Sequence, residues 1–147
     1  MNTNVLLTRE EIEKIIPHRD PMLLVDEVLE MISGESIVAR FSVSLSRDIF
    51  RGHFPDSPVF PGVYTIECMA QASDVLILSL EKYAGKLPLF LGVNNVSFKK
   101  KIMPGDVLII KSKVLKHNEE KAVAVFISEV YVGDDLAATG EVALAMR

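Results

Sequence analysis

The segment PGVYTIECMAQASDVLILSLEKYAG, Pro61 to Gly85, decides the fold class. Proline at its head suits the first helical position, and glycine at its foot is a natural stop. The ~23 residues between them predict a helix of roughly 34 Å at about 1.5 Å per residue. Val63, Ile66, Met69, Ala70, Val75, Leu76, Ile77 and Leu80 spread apolar surface around much of its circumference. A helix of that kind must be covered on most sides.

The flanking sequence supplies strands for the cover. Downstream, Pro88 to Phe98, Val107 to His117, Lys121 to Val132 and Leu136 to Met146 read as four strands, with turns at MPGD (Met103 to Asp106) and GDD (Gly133 to Asp135). Upstream, a strand is predicted from about Met22 to Met31. After the turn SGES, Ile37, Ala39, Phe41 and Val43 alternate with Arg40, Ser42 and Ser44, the period of a half-buried strand. Thr8 and Glu11 have capping-box spacing ahead of a short helix carrying Ile12, Ile15 and Ile16, which Pro17 ends. No second long helix is available for repeated parallel units. The expectation is one α+β domain over residues 1–147, a curved and mostly antiparallel sheet of about six strands around one long helix.

Composition narrows the function. A net charge of −4 and 24% charged residues in 147 fit a globular chain and argue against nucleic-acid binding, which favours a basic face. The apolar run Val75 to Leu80 is too short to span a bilayer, and MNTNVLLTREE resembles no signal peptide. The single cysteine, Cys68, suits a reducing compartment and is read as buried packing. A cytoplasmic protein is expected. His18, His53 and His117 share no metal-ligand spacing.

The chemistry concentrates just before the long helix, in FRGHFPDSPVFPGV, Phe50 to Val63. Pro55, Pro58 and Pro61 stiffen this loop around His53. Phe54 and Phe60 are candidate pocket walls. The free amides at Gly62 and Val63 could face a substrate oxygen, with no side chain at Gly62 to obstruct it. Glu67 follows within the helix. Periodicity alone favours reading Glu67, Gln71, Asp74 and Glu81 as a solvated stripe. Yet a histidine, an acid and an oxyanion-binding helix end, so close in sequence, suit proton abstraction beside a carbonyl. For Glu67 to act as an acid, burial near Val63 and Ile66 must raise its pKa. The run Lys99, Lys100, Lys101 is either a solvated edge or a docking patch for an acidic partner.

PHRDPMLLVDEV, GHFPDSPVFPGV, ECMAQA and MPGD, in that order, resemble the 3-hydroxyacyl-acyl-carrier-protein dehydratases of bacterial type II fatty acid synthesis, from about Ile16 to Met146. The resemblance implies the hot-dog fold and a hydro-lyase that converts a (3R)-3-hydroxyacyl thioester to the trans-2-enoyl product. It places the catalytic pair on His53 and Glu67, where a related dehydratase/isomerase branch carries aspartate at the glutamate position. It further implies no metal, nucleotide or redox cofactor, since the substrate rides on the phosphopantetheine of an acyl carrier protein. That carrier would dock on the lysine run. The implied assembly is a homodimer whose site is shared across the interface, and possibly a trimer of dimers. His18 and Arg19 match the N-terminal motif and are read as structural. Asp20, Asn94, Ser97, Lys101 and VGDD depart from the usual pattern. The rival readings are a hot-dog acyl-CoA thioesterase, which would release free thiol, and a non-catalytic module that binds acyl chains or carrier protein.

Overall fold

The structure, a computed structural model, describes residues 4–147. The short helix α1 (Arg9–Glu13) opens with the expected reciprocal cap between Thr8 and Glu11. The strands are β1 (Glu27–Ile32), β2 (Ser36–Ser42), β3 (Pro88–Phe98), β4 (Val107–Asn118), β5 (Val123–Val132) and β6 (Asp135–Met146). They form one sheet in the order β1-β2-β4-β5-β6-β3, with every pairing antiparallel. The single long helix α2 (Gly62–Leu78) packs against it. This is the hot-dog arrangement of a sheet around a helix.

The predicted turns hold. Gly34, Gly105 and Gly133 take positive φ between strands or just ahead of β4, as SGES, MPGD and GDD require. Asp106 also caps its turn, accepting the Met103 N–H at 2.8 Å. Helix α2 is shorter than expected. Pro61 is its N-cap, with ψ 136°, and the helix ends at Leu78. A 3-10 turn over Glu81–Tyr83 leads to Gly85. Every residue from Cys68 to Leu78 is buried, so the helix is covered on all sides over that length.

Part of the cover comes from an unexpected element. The segment Met22–Val25 does not belong to β1, which begins at Glu27. Leu23, Leu24 and Val25 are buried in succession, where a half-buried strand would alternate. Leu24 and Val25 find their backbone partner in a side chain of α2. Gln71 Oε1 accepts the N–H groups of Leu24 at 2.8 Å and Val25 at 3.4 Å, and its Nε2 donates to the Met22 carbonyl at 2.8 Å. Gln71 and Asp74 are 0% and 3% exposed, so the solvated stripe expected from periodicity is not there. The apolar N-terminal segment lies over it.

Replacing Gln71 by Leu keeps the bulk but strands two buried N–H groups and a carbonyl. Unsatisfied buried groups of this kind cost about 1–3 kcal/mol each before relaxation. Equilibrium urea unfolding of Gln71→Leu should show a loss of about 2–4 kcal/mol. An unchanged midpoint would mean that the segment is held by its apolar side chains alone.

Candidate active site

Glu67 sits on the first buried turns of α2 and is partly covered. Gln71, one turn on, donates its Nε2 to Glu67 Oε2 at 2.8 Å. His18 approaches from the N-terminal segment, its Nε2 3.8 Å from Glu67 Oε2 and 3.6 Å from Asp74 Oδ2. Burial pushes the Glu67 pKa up, and the Gln71 hydrogen bond only partly opposes this. Asp74, deeper in the core, is raised well above the ordinary aspartate range by burial and then by the neighbouring Glu67 charge. Burial also lowers the His18 pKa, with Arg19 adding to the effect. The apolar cover expected of Val63 is absent, since that residue is 70% exposed. Its place is taken by His18 and the segment that Gln71 anchors.

His53 is held elsewhere. Its Nδ1 is 2.8 Å from the Val59 carbonyl, and its backbone N–H donates to Ile49 at 3.1 Å. A carbonyl accepts only, so Nδ1 carries a proton, and in the neutral imidazole Nε2 is the nitrogen with the lone pair. The Phe54 ring stacks on the imidazole at 4.0 Å and is itself 49% exposed, so Phe54 flanks His53 at the surface of this chain. Phe60 is buried in an aromatic cluster with Phe41, Phe50 and Tyr64. It also lines a cavity of about 710 Å³ together with Met22, Ile49 and Tyr64. No His53 nitrogen comes within ion-pair reach of Glu67 among the described residues.

At the head of α2 the Tyr64 and Thr65 N–H groups return to the Pro61 carbonyl. The Gly62 and Val63 amides precede them, in the turn where helix N–H groups lack an intrahelical acceptor. Gly62 is constrained by packing: a Cβ there would come within 2.8 Å of the Phe98 ring. Lys99, Lys100 and Lys101 are exposed in the loop that leaves β3, and are not part of the edge strand itself. Lys100 pairs with Asp135 at 2.8 Å. Cys68 is wholly buried and its thiol is pushed far up by burial, so it is packing, as its position suggested. Among the described residues there is no group of three or more potential metal ligands. No described helix is long and apolar enough to cross a membrane.

Sequence reasoning missed His18 as a neighbour of Glu67, and it placed Gln71 on the same helical side but in solvent. The PHR motif was a signal for the first, and the position of Gln71 four residues after Glu67 was one for the second.

The family model of the FabA-like domain matches residues 16–141. The chain belongs to that family. It is 42% identical to a 3-hydroxyacyl-acyl-carrier-protein dehydratase FabZ of Desulforamulus reducens, over 96% of this chain and 98% of the relative. Among solved structures, the dehydratase heterocomplex ApeI:P from Xenorhabdus doucetiae has a TM-score of 0.77 at 24% identity, covering 92% of this chain and 90% of that one. A hypothetical thioesterase from Streptococcus pneumoniae, solved with coenzyme A, has a TM-score of 0.62 at 16% identity over 82% and 84%. A dehydratase complex and a thioesterase share this fold, so the fold alone does not choose the reaction.

A carboxyl whose folded pKa is raised binds its proton more tightly in the native state. Its contribution is therefore fully present below the unfolded value of 4.5 and is lost as pH rises through the folded pKa. Glu67→Gln removes that dependence. Its melting temperature should match the parent at pH values below 4.5 and exceed it by a growing margin above. A margin that is flat with pH would contradict the burial assigned to Glu67.

Proposed function

We propose that this chain dehydrates 3-hydroxyacyl groups carried on acyl carrier protein, in fatty acid or related acyl biosynthesis. The observation that carries the reading is a glutamate whose hold on a proton is strengthened by burial, in a chain of the FabA-like family whose full-length relative is a 3-hydroxyacyl-acyl-carrier-protein dehydratase. His53 Nε2 takes the C2 proton, and the Nδ1–H bond to Val59 fixes the tautomer that makes this possible. Glu67 protonates the 3-hydroxyl as it leaves, yielding water and the trans-2-enoyl thioester. The Gly62 and Val63 amides receive the negative charge that grows on the thioester oxygen. Proton transfer and elimination account for every step, and no cofactor beyond the substrate's own phosphopantetheine arm enters.

His53 and Glu67 do not meet within one chain, so a second copy completes the site. The edge that supports this reading is β3. Among the described residues it pairs only with β6, and Leu89, Phe90, Leu91 and Val93 are 42–56% exposed along it. A long apolar edge strand of that kind invites pairing with another chain. The Lys99 to Lys101 loop stands beside it as the dock for the acidic carrier. The proposed protein is a cytoplasmic homodimer.

Incubation with a 3-hydroxyacyl carrier protein should give loss of one water by mass and enoyl absorbance, with no free thiol. His53→Ala and Glu67→Gln should each reduce turnover about 10²–10⁴-fold. Thiol release without dehydration would establish a thioesterase instead. Binding without either product would establish a non-catalytic module.

A further inference from the structure

Asp74 has no part in the chemistry above, yet it is the one carboxyl buried among the described residues. It lies seven residues after Glu67, two turns along the same face of α2. His18 Nε2 stands against both carboxyls, 3.6 Å from Asp74 Oδ2 and 3.8 Å from Glu67 Oε2. Asp74 Oδ1 and His18 Nδ1 are buried with no hydrogen-bond partner. A carboxylate at Asp74 would be an anion in the core with no donor bonded to it, which costs several kcal/mol. A protonated acid there needs only somewhere to send its O–H. The nitrogen in reach is His18 Nε2, a few tenths of an ångström beyond ordinary hydrogen-bond length.

We propose that Asp74 is a positioning residue for the acid: its O–H is aimed at His18 Nε2, and this prevents His18 from donating a proton to Glu67. A neutral imidazole has one N–H. With Nε2 accepting from Asp74, the ring proton rests on Nδ1, and Nε2 has no N–H to offer Glu67. A carboxylate at Glu67 then gains no hydrogen bond from His18, which favours the acid form. Without Asp74, Nε2–H would turn to Glu67 and stabilise its anion, which is useless as a proton donor to a leaving hydroxyl. Gln71 would remain the donor on Glu67 Oε2, with Oε1 left for the substrate.

One surrounding charge also bears on the balance: Arg19 adds to burial in weakening the hold of His18 on a proton. On α2, Cys68 is a neutral thiol and Ser73 is engaged with the Met69 carbonyl and with Ser112 of β4. From the N-terminal segment, Arg19 turns its guanidinium to the Ile16, His18 and Glu13 carbonyls and to the Glu13 carboxylate at 3.9 Å. The inference rests on the acid role proposed for Glu67, but its test needs no turnover. The carboxyl ¹³C resonance of Glu67, assigned by its loss in Glu67→Gln, reads the titration of that group directly in the substrate-free enzyme. In Asp74→Ala the midpoint should fall by about one pH unit, the size of one charge-assisted hydrogen bond to the carboxylate. Asp74→Asn keeps an N–H donor toward His18 and should hold the midpoint at the parent value. In a His18→Gln background, Asp74→Ala should have no effect. An unmoved or raised midpoint in Asp74→Ala, or an equal fall in Asp74→Asn, overturns the proposal. The dehydration assay is a separate result: an enzyme indifferent to Glu67→Gln would sink the acid role and leave the titration readable.

Discussion

One buried amide holds this molecule's two halves in register. Gln71 is 0% exposed and uses both ends of its side chain, accepting from Leu24 and Val25 and donating to Met22 and Glu67. The same group thus closes the N-terminal segment over α2 and fixes the carboxyl of the site. An amide buried without partners costs a few kcal/mol, so the bonds form together or the segment lifts away. Lifting it would expose Glu67 to water and remove the desolvation that raises its pKa. Stability and acidity are therefore coupled through a single side chain.

That coupling explains where the sequence was legible. Elements whose cause is local were readable: the Thr8/Glu11 cap, the glycine turns at SGES, MPGD and GDD, the alternation of β2 and the long apolar helix. The His53 loop and Glu67 stood out because stiff loops and acids in apolar helices are local features too. What lay over the polar face of α2 was not readable. Helical periodicity says that Glu67, Gln71 and Asp74 share a side, but not whether water or protein covers it. The cover is the segment carrying Leu23, Leu24 and Val25, some fifty positions away in sequence, and its unbroken apolar run imitated a strand. His18 was hidden for the same reason, since its ion-pair contacts are all long-range. The extent of α2 was overestimated because Ser79 and Leu80 keep the apolar rhythm while the backbone has already left the helix.

The site residues divide between two environments, and the division has chemical sense. The base proposed at His53 is partly exposed, on a loop tied by Val59, where Nε2 can meet a substrate carbon. The acid proposed at Glu67 is partly covered on α2, where burial raises its hold on a proton. Under the proposed function they are brought face to face only when two copies join, with substrate between them. The exposed apolar edge of β3 and the Gly62–Phe98 contact near its end lie on the part of the chain available for that joining.

The most direct test of this account mixes two inactive proteins. His53→Ala and Glu67→Gln, unfolded together and refolded as a mixture, should recover roughly a quarter of parental dehydration, because half of randomly formed dimers would carry one intact site of two. Each variant refolded alone should stay inactive. A mixture no more active than its components would contradict a site shared between copies, and with it the mechanism built on His53 and Glu67.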